Sequence, residues 1–285
     1  MGFEGSLLRV AVGLYLAAAA AYIVSFAGGS RPAGKAAASL AWIGVACQAA
    51  MLVARGLKAG HVPLVSMYEY LIAFAWMVAL AYLLFERSQK EMGQGIQAAG
   101  ALALLFGAGL LWHAGSLPPH LKQAEPLMPV LRSYWLVLHV SVAVVGYGAA
   151  ALASALACLY FASYWAQGRS GWLAGRLPPP SALDRATYRA IRVAFPFLTL
   201  VNITGAVWAY YAWGRYWGWD PKETWSLITW LVYVLYLHAR LRGEWRAPKL
   251  NAVVLVGLGT IMFTFLGVNQ LAAFSQSLHS YGAGS

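Results

Sequence analysis

The sequence predicts an all-α, polytopic integral membrane protein with about eight transmembrane helices. Of its 285 residues, 61% are hydrophobic and only 10% are charged, which is too little charge to cover a soluble domain of this length. A helix needs about 20 predominantly apolar residues to cross a bilayer, and the chain contains such runs repeatedly. The lipid bilayer is therefore the first partner that the composition implies.

The apolar runs divide the chain into eight segments, with boundaries placed to within about 2–4 residues. They cover residues 7–27, 38–57, 64–85, 96–114, 134–165, 193–213, 225–241 and 251–273. The longest connections, 115–133 and 166–192, are too short to bury a core of their own. We therefore predict one helical membrane domain over residues 1–285, without a large soluble domain.

The start of the chain and its cysteines predict a retained first helix and no thiol chemistry. Glu4 precedes the first apolar run and no basic segment opens the chain, so we expect no cleavable signal peptide. Cys47 and Cys158 each stand alone in an apolar segment, without a Cys-x-x-Cys pair. This chain is therefore not expected to exchange disulfides itself.

The positive charges predict an orientation. With residue 1 outside, 13 of the 20 Lys and Arg residues fall in inner connections and seven fall outside. The positive-inside rule then places both termini and the connection after residue 213 on the outer face. We expect a bacterial plasma membrane with that connection facing the periplasm, rather than a thylakoid membrane. Because topology accounts for the net charge of +11, no nucleic-acid partner is expected.

Residues 213–230, between the sixth and seventh segments, form an unusual aromatic stretch. It contains five tryptophans, namely Trp213, Trp217, Trp219, Trp225 and Trp230. One or two tryptophans at a membrane surface usually form an anchoring belt. Here four tryptophans fall within the 13 residues 213–225. Four charged residues lie among them, namely Arg215, Asp220, Lys222 and Glu223. This mixture favours a site for a flat apolar ligand with anionic groups, which aromatic rings stack against and cations pair with.

This stretch also resembles a known signature. Trp-Gly-x-Tyr-Trp-x-Trp-Asp-Pro-Lys-Glu-Thr-Trp-x-Leu-Ile-Thr-Trp, read from Trp213 to Trp230, resembles the "WWD" signature of haem-handling proteins of cytochrome c maturation. Pro221-Lys222-Glu223-Thr224 after the Trp-Asp pair is similar to the CcsA/ResC branch in particular; the related CcmC and CcmF proteins differ there. A second element, 63–71, resembles this family too. The resemblance covers about residues 60–285.

Three histidines are candidate haem ligands. His139 lies about one and a half turns inside the fifth segment, and imidazole is the usual axial ligand of haem iron; an interhelical hydrogen bond is the alternative. Leu-His279-Ser-Tyr-Gly near the end of the chain resembles the motif of the family's second external histidine. The resemblance implies that His139 and His279 ligate haem b on the tryptophan side. His238, about 20 Å from the loop, would mark an inner site completed by a partner chain.

Other candidates keep a structural interpretation. We expect His61, His113 and His120 to be surface residues. Glu69 opens the third segment, where it is either a helix-end carboxylate stabilised by the helix dipole or a functional acid. Its role stays open at this point.

The resemblance implies a cytochrome c assembly factor of system II. The chain would act with a CcsB/ResB-like membrane protein, as the haem-handling subunit of a haem lyase or synthase complex. It would convey haem outward and present it to the Cys-x-x-Cys-His of apocytochrome c, which thiol-reducing proteins of the pathway keep reduced. No catalytic residue is assigned.

Within that function the aromatic stretch would hold the cargo. Trp213, Trp217, Trp219 and Trp225 would support the macrocycle. Arg215 or Lys222 would pair with the propionates, while Asp220 and Glu223 are better suited to orienting the loop. Two alternatives remain: a transporter of another flat or anionic solute, and a haem b subunit of a quinone-linked oxidoreductase. The latter would need two stacked histidine pairs, which the sequence does not offer.

Overall fold

The computed structural model describes residues 3–123, 131–168 and 171–268, and within these ranges the chain forms helices and turns without strands. The helices are α1 (Phe3–Gly28), α2 (Arg31–Ala59), α3 (Met67–Ser88), α4 (Gln97–Ser116), the short α5 (Pro119–Lys122), α6 (Tyr134–Ala166), α7 (Pro180–Trp213), α8 (Pro221–Arg242) and α9 (Ala247–Met262). A 3₁₀ segment (Lys90–Ile96) precedes α4, and a π-helical segment (Phe263–Gly267) continues α9. The all-α prediction is confirmed.

In the described part of the chain, seven helices are long and apolar enough to cross a membrane: α1, α2, α3, α4, α6, α7 and α9. The chain is therefore a polytopic membrane protein, as predicted. The eighth predicted span, 225–241, is helix α8. Its 22 residues extend about 33 Å at ~1.5 Å per residue, but tryptophans, tyrosines, His238 and two arginines make it less apolar than the others. Composition thus supports seven of the eight predicted spans.

Helix α7 begins earlier than predicted, so the predicted connection 166–192 is wrong from Pro180 onward. Pro180 suits the first turn of a helix, where its missing N–H has no partner to lose. Asp184, in the turn after it, is buried against other helices. Asp184 accepts hydrogen bonds from Arg240 Nη1 at 2.6 Å and from Asn251 Nδ2 at 2.9 Å. Asp184 is therefore accommodated in the helix, because its partners lie on α8 and α9.

The helices place two sets of connections at opposite ends of the bundle. One end, called here the tryptophan end, holds the start of α3, α6 and α8 and the end of α2, α4 and α7. At the other end, residues 171–179 close over the last turn of α1. Trp172 Nε1 donates to the carbonyl of Ala27 at 3.3 Å, and Arg176 Nη1 donates to that of Phe26 at 2.8 Å. These side chains satisfy carbonyls that the helix itself leaves without partners.

A buried ion cluster joins α1, α2 and α3 at the tryptophan end. Arg55 is only 1% exposed, and its guanidinium pairs with Glu69 at 2.6 Å and with Glu4 at 2.8 Å. Glu69 also accepts hydrogen bonds from the backbone N–H groups of Val65 and Ser66, at 2.8 and 3.1 Å, in a capping box that starts α3. The structure thus supports the helix-end interpretation of Glu69.

Candidate functional site

A cavity opens at the tryptophan end between α3, α6, α7, α8 and the π-helical segment. Its empty space is about 1150 Å³, including the part that is open to the surroundings. The wall from α3 and α6 is apolar and aromatic, with Tyr70, Phe74, Leu136, Val140, Val144 and Tyr147. The facing wall carries polar groups, namely Asn202, Lys222, Glu223, Ser226 and Thr264. Such a cavity suits a ligand that is largely apolar but has a polar edge.

His139 lies in the cavity wall, five residues into α6. Its ring Nδ1 lies 3.1 Å from the carbonyl oxygen of Val201 and 3.4 Å from Oγ1 of Thr204, both on α7. A carbonyl oxygen can only accept, so Nδ1 carries a proton, and in the neutral ring Nε2 then keeps the lone pair. The neutral imidazole is then in the tautomer that ligates a metal through Nε2. Both interpretations of His139, interhelical hydrogen bond and ligand, are therefore compatible on one ring.

The loop of the aromatic stretch is shorter than the predicted 213–230. Helix α7 ends at Trp213, Gly214 adopts the left-handed conformation with φ 74°, and α8 begins at Pro221. Only residues 214–220, called here the tryptophan loop, lie between the two helices. Trp225 and Trp230 are therefore helical residues whose directions are set by α8.

A capping box holds the tryptophan loop on α8. Asp220 Oδ1 accepts the backbone N–H of Lys222 at 2.9 Å, and Glu223 Oε2 accepts those of Gly218 and Asp220 at 2.7 and 3.2 Å. These bonds stabilise Trp219 at φ 57°, a conformation that costs a residue with a side chain roughly 1–3 kcal/mol. Asp220 and Glu223 thus orient the loop. The sequence contained the signal for this box, an acidic N-cap with Glu three residues later and Pro at the first helical position.

Of the predicted aromatic and cationic ligand-binding residues, Trp217 and Lys222 line the cavity. Lys222 lies in the first turn of α8, ahead of its apolar part, and is half-buried. Loss of hydration lowers the pKa of Lys222 to about 8, an effect that the Asp220 carboxylate partly opposes. An anion bound beside Lys222 would favour the charged ammonium form. Lys222 is therefore placed to receive an anionic group in the cavity.

The other predicted residues lie outside the cavity lining. Trp219 is 71% exposed and packs edge-on against Trp217, with ring centroids 5.7 Å apart. Trp225 packs against Phe263 of the π-helical segment at 4.2 Å. Arg215 is exposed and its guanidinium lies over Gly218, where a Cβ atom would approach it to 2.7 Å. The predicted aromatic surface is thus divided among several packing sites.

Trp213 does not line the cavity but packs against a residue that does. Its ring packs edge-on against buried Trp208 at 5.0 Å, and Trp208 lies parallel to the His139 ring at 6.4 Å with an interplanar angle of 10°. Trp208 itself lines the cavity. The first tryptophan of the signature therefore supports the residue that stacks on His139.

Sequence reasoning missed the polar residues that join α7 to α8. Asn202 accepts a hydrogen bond from Ser226 Oγ at 3.1 Å, and both side chains line the cavity. One turn away, Trp230 Nε1 donates to Thr199 Oγ1 at 2.9 Å. The available signal was a pair of polar residues three positions apart, Thr199 and Asn202, in an otherwise apolar segment.

The other histidines in the described ranges, His61, His113, His120 and His238, do not line this cavity. His238 is exposed on α8, four residues before the end of that helix and at the end of the bundle opposite the cavity. His279 lies outside the described residues. In the described ranges, no three His, Cys, Asp or Glu side chains lie close enough together to hold a bare metal ion. His139, the histidine that the described part of the chain brings to this cavity, suits a metal that brings its own equatorial ligands, as haem iron does.

Comparisons with known proteins agree on a single family. Residues 64–275 match the family model described as cytochrome C assembly protein. The chain is 39% identical over 237 residues to the cytochrome c biogenesis protein CcsA of Chlamydomonas reinhardtii, with 81% of this chain and 64% of that protein covered. It is 37% identical to CcsA of Synechococcus elongatus, with 83% of this chain and 84% of that protein covered.

A solved structure shares the fold. The cytochrome c haem lyase CcmF superposes with a TM-score of 0.69 at 16% sequence identity. The match covers 93% of this chain but 47% of CcmF, so the chain spans about half of that protein. At this identity the likeness concerns the helical architecture alone.

Proposed function

Since this chain belongs to the cytochrome c assembly protein family, we propose that it holds haem in the cavity at the tryptophan end and presents it for covalent attachment to apocytochrome c. One observation carries the proposal: a single cavity combines an oriented histidine, an indole and a half-buried lysine, those of His139, Trp217 and Lys222. Haem needs all three kinds of contact, because it has an iron centre, a flat apolar ring and two carboxylates.

Each wall of the cavity has a role in this proposal. His139 Nε2 ligates the iron, since Nδ1 is already engaged with α7. The aromatic wall of α3 and α6 covers the apolar ring and excludes water. The polar wall, with Asn202 and Ser226, faces the more hydrophilic edge. When bound, haem b supplies the vinyl groups that react with the cysteine thiols of the cytochrome.

Lys222, rather than Arg215, is the cation assigned to the propionates. Lys222 lines the cavity, whereas Arg215 is exposed and packs on Gly218. A half-buried ammonium group also gains more from an anionic partner than an exposed guanidinium does, since screening by water is weaker there.

Replacing Lys222 should weaken haem binding. In Lys222→Met we expect affinity to fall about 10- to 100-fold, as for a lost hydrogen bond to a charged group worth roughly 1.5–3 kcal/mol. Native affinity should also decline as the pH rises past the Lys222 pKa of about 8, because only the ammonium form pairs with a carboxylate. Lys222→Arg should bind with little change over this range, since arginine stays charged. Haem titration between about pH 7 and 9 measures both effects.

Arg215→Met is the matched control for Lys222. It removes a neighbouring cation from the same loop region but outside the cavity lining, so its affinity and pH dependence should match the native protein. Equal losses in the two variants would contradict the assignment of Lys222 and indicate a general effect of positive charge.

The remaining parts of the pathway follow from the resemblance. His279 supplies the second outer axial ligand. His238, exposed on α8, forms an inner site with a ligand from a CcsB/ResB-like partner, and haem passes from there to the outer cavity. We place the tryptophan end on the periplasmic face of a bacterial plasma membrane, because the cation count favours that orientation. Thiol-reducing proteins keep the apocytochrome cysteines reduced.

The function is tested by cytochrome assembly in cells that lack their own maturation system. The chain is co-expressed with a CcsB-like protein and an apocytochrome c carrying Cys-x-x-Cys-His, and covalently bound haem is measured after denaturing electrophoresis. We expect haem-stained cytochrome only when the chain is present. Equal staining without the chain would contradict the proposal and favour transport of another flat or anionic solute.

A further inference from the structure

One turn of α7 packs against the imidazole of His139, which projects from α6. The turn contributes the carbonyl of Val201, the hydroxyl of Thr204 and the bare Cα of Gly205. Trp208, one turn further on, lies parallel to the imidazole. None of the α7 residues stood among the candidates that the sequence predicted.

The hydroxyl of Thr204 is held as an acceptor for His139. Thr204 Oγ1 donates its hydrogen to the carbonyl of Leu200 at 2.6 Å. Its lone pairs then remain available to the Nδ1–H of His139, at 3.4 Å. Together with the Val201 carbonyl at 3.1 Å, this gives Nδ1–H two acceptors, and both reinforce the same tautomer.

Gly205 provides the space that the ring occupies. A Cβ atom at position 205 would lie 2.9 Å from Cε1 and 3.1 Å from Nδ1 of His139. The neighbouring atoms belong to the imidazole ring, which is also confined by Trp208, so the ring would have to shift. Any side chain at this position therefore moves the histidine relative to the cavity.

We propose that Val201, Thr204 and Gly205 of α7 are a positioning device that fixes the tautomer and direction of His139 for ligation of haem iron. The inference rests on the proposed function, and it adds residues that act through His139. Groups that orient a metal-ligating histidine typically change metal affinity by about 10- to 100-fold when they are removed.

Gly205→Ala is the first test. We expect haem affinity to fall at least about tenfold, although alanine is intrinsically better than glycine in a helix. In the His139→Ala background with added imidazole, Gly205→Ala should cause no further loss, because a free imidazole can adjust its position. This lack of additivity is what coupling through His139 requires. Gly109→Ala in α4 is the control, since nothing lies within 4 Å of its added Cβ.

The tautomer is tested on haem-free protein. In ¹⁵N-histidine-labelled protein, with His139→Ala used for assignment, NMR should show protonated Nδ1 and unprotonated Nε2 for His139. Thr204→Val should raise the fraction of the other tautomer, and in haem-loaded protein it should raise the reduction potential, because a less basic imidazole stabilises ferric iron less. Thr187→Val is the control, since buried Thr187 makes the same type of bond to the carbonyl of Leu183 at 3.0 Å on the same helix.

The outcomes distinguish an error in the positioning role from an error in the proposed haem site. If His139→Ala loses haem but Gly205→Ala and Thr204→Val behave as their controls, the positioning role is wrong and the proposed site stands. Additive losses from His139→Ala and Gly205→Ala would overturn it too. If His139→Ala retains haem with native affinity, the proposed site fails, and the positioning role fails with it.

Discussion

Replacing His139 by alanine should abolish cytochrome c assembly while the chain remains folded in the membrane. The imidazole is a ligand in our account, and its removal leaves the cavity without a protein nitrogen for the iron on that side. Its loss should cost little stability, because the residue is half-buried and its partners on α7 keep their own helical bonds. Covalent cytochrome haem, measured with the CcsB-like partner present, should fall to background.

Added imidazole distinguishes a lost ligand from a lost fold. We expect millimolar-scale imidazole to restore part of the assembly in His139→Ala, because the cavity that remains can admit a small ligand. His113→Ala is the matched control, since His113 lies at the same end of the bundle but outside the cavity lining. Native levels of assembly in His139→Ala would contradict the ligand role.

Arg55→Met should produce the largest loss of stability. The substitution leaves the carboxylates of Glu69, 1% exposed, and Glu4 without their guanidinium. Removing one partner of a buried ion pair costs about 3–5 kcal/mol, because the remaining charge stays buried without compensation. Thermal unfolding in detergent, followed by circular dichroism, should show a clearly lowered midpoint.

Arg242→Met is the corresponding surface control. Arg242 pairs with Glu244 at 3.3 Å, but the two side chains are 63% and 51% exposed, and such pairs contribute about 0–1 kcal/mol. Its unfolding midpoint should therefore stay close to that of the native protein. Equal midpoints for Arg55→Met and the native chain would show that the buried cluster is dispensable.

The membrane helices could be predicted from the sequence alone. So could the location of His139 and the aromatic stretch at the same end of the bundle. Apolar runs and the Trp-Asp-Pro-Lys-Glu signature are local patterns. Both can be read from neighbouring residues without knowing how the helices pack. The start of α7 was missed because the basic residues of 166–192 and the three prolines at 178–180 suggested a connection at the membrane surface. Only the packed bundle shows that Asp184 has partners on α8 and α9.

The distribution of the tryptophans could not be predicted in the same way. The sequence places four indoles together, but their directions depend on the left-handed backbone of Gly214 and Trp219 and on where α8 begins. As a result Trp217 enters the cavity, Trp219 faces outward and Trp213 supports Trp208. The choice between Lys222 and Arg215 was open for the same reason.

The most direct test of a haem site at His139 is the reduced-minus-oxidised absorption spectrum of the purified chain with its CcsB-like partner. Native protein, His139→Ala and His113→Ala are compared at equal protein concentration. We predict a b-type spectrum in the native protein and in His113→Ala, and its loss in His139→Ala with recovery on adding imidazole. A colourless native complex, or a spectrum unaffected by the loss of His139, would contradict the account.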